Sequence, residues 1–448
     1  MALSERLRQR ENGVAYDAVA QEPAPAGHLA LKGELHRRLV DKLDLKTLQA
    51  LPPDRLREEL RELLASMVAS ARAPLNQNER ERLVQELLDE LTGLGPLETL
   101  LRDPTISDIL VNGPETIFVE RAGRLEHARV RFDDDDHLMR VINRIVSRVG
   151  RRVDETSPMV DARLPDGSRV NAIVPPLSLD GPALSIRRFG VTPMRARDLV
   201  AVGSFTPAAM AFLGACVRAK ANLLISGGTG TGKTTLLNAL SAFIPETERI
   251  ITIEDSAELK LQQPHVVRLE TRPANIEGKG EITARDLVRN CLRMRPDRIV
   301  VGEVRASEVL DMLQAMNTGH EGSLTTIHAN GSRDALARLE SMMGMAGLPL
   351  TEHATRQIIS RAIHLIVQLS RGSDGRRRVV SVAEITGTEG SVISMQEIFR
   401  FDQRGVDAGG RVQGEVVATG VRARIFDRIQ RSGVDLQAVE RELASRAP

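Results

Sequence analysis

The hydrophobic pattern of the first 93 residues is typical of helices. One apolar stripe has helical spacing and consists of Leu56, Leu60, Leu63, Leu64 and Met67. Helix-start signals occur at 51–54 (Leu-Pro-Pro-Asp) and at 76–78 (Asn-Gln-Asn). We predict a small helical bundle over residues 29–93. Residues 1–28 mix charge with Gly and Pro and have no sustained period, so we predict a mobile tail there.

The pattern changes to short β-type runs between 94 and 200. Residues 117–121 (Ile-Phe-Val-Glu-Arg) and 128–132 (Ala-Arg-Val-Arg-Phe) are predicted strands, and a helix is predicted near 137–149. Together with Gly/Pro turns, these elements indicate a small α/β domain over residues 94–200.

Strand-type and helix-type patterns then alternate from 201 to about 370. A helix near 207–220 leads into a strand at 222–226, and such alternation is typical of a mainly parallel sheet flanked by helices. Residues 377–385 and 392–401 are predicted as antiparallel additions. Beyond a Gly-rich link at 408–414, residues 421–447 are predicted as closing helices. Residues 201–448 would thus form one domain.

Composition adds limits to this picture. The 448 residues are 42% hydrophobic, 27% charged and only 2% aromatic, which fits a multidomain globular protein with an aliphatic core. A formal net charge of +1 gives no whole-chain argument for nucleic-acid binding. Cys216 and Cys291 match no metal-ligand spacing and are predicted to be buried thiols. No apolar run is long enough for a signal peptide or membrane span, so we expect a cytoplasmic protein.

A phosphate-binding loop follows the strand at 222–226. The loop consists of Gly227, Gly228, Thr229, Gly230, Thr231, Gly232, Lys233, Thr234 and Thr235. Small residues between a strand and a helix let backbone N–H groups wrap phosphates. Lys233 places positive charge near the β- and γ-phosphates, and the Thr234 hydroxyl can ligate Mg²⁺. The loop therefore predicts ATP and Mg²⁺ as ligands, on a P-loop ATPase core.

Two acidic elements follow further along the chain. Residues 250–258 begin as a β-branched strand and end with Glu254, Asp255 and Glu258, whose carboxylates can orient water or metal; an edge strand entering a solvated turn is the alternative. Residues 298–303 form a buried-type strand that ends in Glu303, which we interpret as a Walker B acid with Glu in place of Asp.

Two histidines, His320 and His328, lie on either side of the predicted strand 324–327. This strand would deliver one histidine to each side of the nucleotide pocket, as a γ-phosphate sensor requires. A zinc pair is the alternative, although further ligands are missing.

Arg163 and Arg169 flank the turn at 164–167 (Leu-Pro-Asp-Gly) in the domain that precedes the ATPase core. Two arginines on one rigid turn suit a phosphate clamp. The alternative is that they pair with Asp161, Asp166 or Glu155 and brace the turn.

These motifs together resemble the type II/IV secretion ATPase superfamily, and within it the CpaF/TadA-type ATPases of tight-adherence (Flp, type IVb) pili. Besides the P-loop, the resemblance is carried by residues 113–121, 150–171, 253–259 (Ile-Glu-Asp-Ser-Ala-Glu-Leu), 293–305 and 314–330. It covers the chain from about Leu94 to Phe401, and the first 90 or so residues lie outside it. Arg305-Ala306 stands where the family usually has Arg-Gly.

The resemblance implies roles for particular residues. Glu258 would be the catalytic glutamate of the aspartate box that Glu254 and Asp255 complete. Glu303 would order the metal shell through water. His320 and His328 would be the histidine-box pair. Arg163 and Arg169 would approach the nucleotide from the smaller α/β domain, often at a subunit interface.

The same resemblance implies a RecA-like core in a homohexamer that works on inner-membrane pilus platform proteins. The protein would lie at the inner face of the cytoplasmic membrane, with membrane contact only through partners and no nucleic acid. A RecA-like nucleic-acid motor remains the alternative, although aromatic residues for base stacking are scarce. A scaffold that binds ATP without hydrolysing it is a further alternative.

Overall fold

The structure is a computed structural model that describes residues 31–35, 53–71, 73–121, 124–189, 194–274 and 279–434. The predicted tail at 1–28 and the end of the predicted closing helices, 435–447, lie outside these residues. The chain forms two compact units, Met1–Phe189 and Gly190–Pro448. The finer division at 28, 93 and 200 stays a prediction.

The amino-terminal unit begins with helices. Residues 31–35 are helical, and the described residues after them include the helices α1 (Pro53–Ser70), α2 (Gln77–Thr92), α3 (Leu97–Arg102) and α4 (Asp135–Ser147). Asn76 caps α2 with a capping box, as its side chain accepts from Glu79 N at 2.9 Å and the Glu79 carboxylate accepts from Asn76 N at 2.7 Å. The predicted stripe is largely buried where α1 packs against α2 and residues 31–35, although Leu63 is exposed.

A six-stranded antiparallel sheet completes this unit, in the order β3-β2-β1-β6-β5-β4. Its strands are β1 (Ile106–Asn112), β2 (Thr116–Arg121), β3 (Arg124–His127), β4 (Met159–Arg163), β5 (Arg169–Ile173) and β6 (Ala183–Arg187). The prediction of a strand at 128–132 was wrong, because β3 ends at His127. Ala128 and Phe132 instead fill the core between the sheet and α4, which explains the apolar alternation that suggested a strand.

A nine-stranded sheet organises the carboxy-terminal unit. Its strands are β7 (Leu223–Gly227), β8 (Ile250–Glu254), β9 (Val266–Glu270), β10 (Arg298–Val301), β11 (Leu324–Ile327), β12 (Leu365–Arg371), β13 (Arg377–Glu389), β14 (Val392–Val406) and β15 (Val412–Ala418). The order is β15-β14-β13-β12-β7-β11-β10-β8-β9. The six neighbouring strands β12, β7, β11, β10, β8 and β9 are parallel to one another. Strands β13, β14 and β15 extend the sheet beyond β12 in antiparallel pairings. The predicted mainly parallel sheet with antiparallel additions is confirmed.

Helices cover both faces of this sheet and bury two hydrophobic cores. They are α5 (Ala196–Ala201), α6 (Pro207–Arg218), α7 (Lys233–Ser241), α8 (Ala284–Cys291), α9 (Glu308–Asn317), α10 (Ser332–Gly344), α11 (Glu352–Ala362) and α12 (Ile425–Arg431). Cys216 and Cys291 are buried, as predicted. Among the described helices, none has the length and apolar character needed to cross a bilayer.

One prediction for the end of this unit needs correction. Residues 408–414 were expected to be a link, but strand β15 begins at Val412 and pairs with β14. A tight turn starts it, since Gly410 N donates to Asp407 O at 2.9 Å and Arg411 N to Asp407 Oδ1 at 2.8 Å. The glycines therefore form a hairpin turn rather than a linker.

Candidate functional site

The P-loop lies at the carboxyl end of β7, where the strand passes into α7. Gly230 and Gly232 have φ of +71° and +94°, a region that favours glycine. A side chain at Gly227 would lie 2.8 Å from Leu369 O of the neighbouring strand, so this position has no room for one. No side chain caps the start of α7. Its first N–H groups are therefore available to an anion, as the sequence predicts.

Lys233 is the buried cation of this loop, with 7% of its surface exposed. Its Nζ donates to Gly227 O at 3.1 Å and to Gly228 O at 2.9 Å, and it lies 3.4 Å from each ring nitrogen of His328. The ammonium group is thus held inside the loop, at the place that the β- and γ-phosphates occupy in P-loop proteins.

Glu303 and His328 meet next to Lys233. Strands β10 and β11 are paired in parallel, so the residues that follow them lie at one edge of the sheet. His328 Nε2 lies 3.0 Å from Glu303 Oε2. Because a carboxylate only accepts, the Nε2 atom donates this bond. Burial and the charge of Lys233 lower the pKa of His328 below its ordinary 6.5, so the imidazole is neutral at pH 7.

Arg305 supports the Glu303 carboxylate. Its Nε donates to Glu303 Oε1, and its Nη1 lies 3.4 Å from Asp255 Oδ2. Burial raises the pKa of Glu303, but the hydrogen bond and charge of Arg305 outweigh it and bring the pKa below the ordinary value. Glu303 is therefore ionised at neutral pH, as a metal-ordering acid must be.

Glu254 ends β8, and only 5% of its surface is exposed. Its Oε2 atom accepts from Glu258 N at 2.7 Å and from Leu259 N at 2.9 Å. Its Oε1 atom has no hydrogen-bond partner within the described residues. Burial raises its pKa to about 6 despite the two backbone donors. Glu254 therefore fixes the backbone of the segment that carries Glu258.

The Glu258 segment runs along the P-loop helix. Lys260 N donates to Asn238 Oδ1 of α7 at 2.9 Å. Glu258 itself is partly exposed. This arrangement places the predicted catalytic glutamate on a segment attached to the helix that starts with Lys233.

His320 lies away from this group within the unit. It precedes β11, whereas the P-loop follows β7, and Leu324 of β11 is level with Leu223 of β7. His320 is therefore at the amino edge of the sheet, and the P-loop and His328 are at the carboxyl edge. Its O atom accepts from Ser323 Oγ at 2.8 Å, and its Nδ1 is buried without a hydrogen-bond partner in the described part of the chain.

Arg163 and Arg169 lie in the amino-terminal unit, directly opposite each other at the end of the β4–β5 hairpin. Gly167 takes φ of +92° in the turn, and Asp166 accepts from Ser168 N and Oγ, both at 2.9 Å. Strand β6 adds Arg187 opposite Arg169. Three arginines thus form a row across three strands on one face of the sheet.

Arg187 was missed in the sequence analysis, although it completes this row. Like charges directly opposite each other destabilise a sheet, and Asp108 of β1, which lies opposite Arg187 on its other side, places a carboxylate at the end of this row. The alternation of Ala183–Arg187, with Leu184 and Ile186 buried and Arg187 exposed, is the signal that would have placed it on the face of Arg169.

The carboxyl edge of the parallel strands fits a nucleotide with its metal. It combines a glycine-rich loop before an uncapped helix, a buried lysine, an ionised glutamate, a neutral histidine and a buried carboxylate oxygen that has no hydrogen-bond partner among the described residues. These donors and acceptors suit a polyphosphate, a hydrated cation and a water molecule.

Comparisons with known proteins agree with this chemistry. The family model described as type II/IV secretion system protein matches residues 90–413. A putative conjugal transfer protein of Mycobacterium tuberculosis (strain H37Rv) is 41% identical over 312 residues, which are 68% of this chain and 88% of the relative. The type IV secretion system protein VirB11 of Bartonella quintana is 30% identical over 350 residues, covering 69% of this chain and 96% of VirB11.

A solved structure of the pilus retraction motor PilT with bound ADP has a similar fold. Its TM-score is 0.50 at 21% identity, and the match covers 78% of this chain and 89% of PilT. The predicted RecA-like α/β fold is thereby confirmed. The family model and the two relatives confirm the resemblance at the level of the superfamily. The CpaF/TadA subtype stays a prediction. By the family model and these relatives, the chain belongs to the type II/IV secretion system protein family, as an ATP-hydrolysing enzyme.

Proposed function

We propose that this secretion-system ATPase is a homohexamer that powers assembly of a tight-adherence pilus, or secretion of its pilins, at the inner face of the cytoplasmic membrane. The observation that carries the ATPase part is the contact of Lys233 with His328, which is bonded to Glu303 beside the P-loop. The pilus part rests on the sequence motifs that resemble CpaF/TadA-type proteins. Inner-membrane platform proteins would be the partners.

In this proposal Glu258 positions or deprotonates the water that attacks the γ-phosphoryl group. Glu254 holds the Glu258 backbone through two N–H bonds, so that the carboxylate of Glu258 is presented from a fixed segment. The Oε1 atom of Glu254 is buried and has no hydrogen-bond partner among the described residues. A bound water molecule would donate a hydrogen bond to it.

Thr234 and, through water, Glu303 would hold Mg²⁺. When bound, Mg²⁺ neutralises phosphate charge and orients the phosphoryl group. Lys233 exchanges its bonds to the Gly227 and Gly228 carbonyls for phosphate oxygens. His328, neutral and donating to Glu303, would then report the occupancy of the γ-phosphate position through its contact with Lys233. His320 stays a candidate of the histidine-box pair on the resemblance alone, since within its own unit it lies at the opposite edge of the sheet from the P-loop.

Arg163 and Arg169 are proposed to bind phosphate, and Arg187 extends the same row. The support for this role is the register that aligns all three across the hairpin and the neighbouring strand. An arginine that stabilises the charge of the transferred group is worth about 10³-fold or more in rate.

Complementation tests the biological part of the proposal. In a strain that lacks this gene, the wild-type chain should restore surface pili, counted by electron microscopy, and Glu258→Gln should not. The matched control Glu246→Gln, an exposed acid elsewhere in the unit, should restore them. Normal piliation in the gene-deleted strain would contradict the proposal.

Stimulation by nucleic acid tests the alternative motor. We expect phosphate release to be unchanged when single-stranded DNA is added to the full chain. Strong stimulation would instead favour the RecA-like nucleic-acid motor.

A further inference from the structure

The β12–β13 hairpin reaches the same sheet edge as the P-loop. Strand β12 runs parallel to β7, and Leu369 is level with Gly227, the first residue of the loop. The chain continues to Arg371, turns, and returns as β13 from Arg377, with Arg371 and Arg377 opposite each other. The tip of the hairpin, residues 372–376, therefore extends past the strand end from which the P-loop begins.

Arg377 approaches the P-loop from this hairpin. Its Cδ atom lies 3.7 Å from the point where a Cβ atom on Gly232 would be. Its backbone is fixed, because its O atom accepts from Ser204 Oγ at 2.7 Å and Val379 N donates to Ser204 O at 3.0 Å. The side chain is exposed, and it forms no ion pair within the described ranges of the chain.

The neighbouring residues stabilise the hairpin without using this arginine. Arg378 Nη2 donates to Asp374 Oδ2 at 2.9 Å, and its guanidinium carbon lies 5.2 Å from the ring centroid of Phe401. Gly372 N donates to Arg376 O at 2.9 Å and closes the turn. The hairpin is thus rigid, so that Arg377 is presented at Gly232 without a large ordering cost.

The order of the strands decides which end of a nucleotide Arg377 would meet. Glu254 ends β8, and Glu303 and His328 follow β10 and β11. These three strands all lie on one side of β7. Strand β12 lies on the other side of β7. Since the acids and the histidine mark the reacting γ-phosphate, Arg377 lies toward the phosphates that remain in ADP.

We infer that Arg377 is a further nucleotide-binding residue, which holds the non-transferred phosphates of ATP and ADP from the β12–β13 hairpin of the same subunit. The inference rests on the proposed P-loop site. A guanidinium beside a phosphate forms charge-assisted hydrogen bonds with it. Because these phosphates keep their charge through the reaction, the contact strengthens binding of substrate and product alike and leaves the chemical step unchanged.

Titration calorimetry on the full chain tests this inference with ADP and with a non-hydrolysable ATP analogue. We expect Arg377→Ala to raise the dissociation constants of both nucleotides about tenfold, since one charge-assisted contact is lost. Arg377→Lys should recover part of the loss. The matched control Arg376→Ala, an exposed arginine of the same turn, should change both constants less than about twofold.

Three outcomes would overturn the inference. They are unchanged affinities in Arg377→Ala, equal losses in Arg377→Ala and Arg376→Ala, and a loss confined to the ATP analogue. Lys233→Ala, measured alongside, separates this inference from the site on which it rests. If Lys233→Ala binds both nucleotides as well as the wild type does, the P-loop assignment fails, whereas an effect of Lys233→Ala without one of Arg377→Ala removes only Arg377.

Discussion

At the scale of single residues, the surroundings of each titratable group in the site determine whether that group is charged. Glu303 is kept ionised by Arg305, and His328 is kept neutral by burial and by Lys233. A neutral imidazole can donate to Glu303 without adding a second positive charge beside the lysine. The phosphate site therefore has one buried cation from the P-loop itself, and further positive charge must come from metal or arginine.

Glu258→Gln is the residue-scale test of the base. The amide keeps the size of the side chain but cannot take a proton, so we expect nucleotide affinity to stay within about twofold and kcat to fall by about 100-fold. Single-turnover hydrolysis and nucleotide titration together measure the two quantities, with Glu246→Gln as the control. An unchanged kcat would transfer the role to Glu254 or Glu303.

His328→Ala tests the sensor. Its removal takes away the group between Lys233 and Glu303 but no phosphate ligand, so we expect nearly unchanged ATP affinity together with loss of piliation. A variant with full piliation would make His328 a purely structural residue.

The site residues that lie a few positions beyond a strand could be predicted from the sequence. The apolar run of β7 precedes the loop that carries Lys233, and that of β10 precedes Glu303. Parallel strands end at one edge of a sheet, so such residues lie close together. Arg377 could not be predicted in this way. Its place beside Gly232 depends on the pairing of β12 with β7, which are far apart in the sequence, and no local pattern encodes this pairing.

At the scale of elements, a buried histidine joins α2 to α4 in the amino-terminal unit. His137 Nε2 lies 2.9 Å from Glu90 Oε2, and its Nδ1 lies 3.4 Å from Asp133 Oδ2. Burial lowers the pKa of His137, but the two carboxylates outweigh it and raise the pKa to about 9. His137 is therefore charged at neutral pH and holds the helical part onto the α/β part.

This contact should make stability depend on alkaline pH. A raised folded-state pKa contributes stability that is complete below the unfolded value and is lost as the pH rises through about 9. We expect the wild type to lose about 2 kcal/mol more than His137→Gln between about pH 7 and pH 9.5. Urea unfolding followed by circular dichroism measures this difference, with His353→Gln, an exposed histidine, as the control. Equal losses in wild type and His137→Gln would contradict the assignment.

The two errors at this scale have one cause. The local composition of residues 128–132 is typical of a strand, and that of residues 408–414 is typical of a linker. In both segments, contacts with neighbouring segments determine the structure instead. Phe132 packs into a core, and Asp407 closes a turn that contains the glycines of the predicted link. Tertiary contacts that single-sequence patterns do not contain therefore set these boundaries.

At the scale of the whole molecule, the proposal requires a closed ring. We expect purified chain with nucleotide to form hexamers, because an open head-to-tail contact would continue into filaments. Light scattering at micromolar concentration measures the mass. A strictly monomeric species with full specific activity would contradict the ring.

Mixing of inactive subunits tests whether the arginines act between neighbours. Arg169→Ala supplies an intact P-loop, and Lys233→Ala supplies an intact arginine row. If the arginine acts in trans, mixed rings should recover hydrolysis above either variant alone. If mixed rings form but hydrolysis does not recover, Arg169 does not act in trans. It would then act in its own subunit or brace the β4–β5 turn.

The most direct test of the account is steady-state phosphate release by the full chain with Mg²⁺ and ATP. We expect the wild type to turn over ATP and Lys233→Ala to lose about 100-fold or more, since the phosphates lose their buried cationic partner. Arg376→Ala should stay close to the wild type. Turnover by Lys233→Ala near the wild-type rate would contradict the assignment of the P-loop, and with it the central claim.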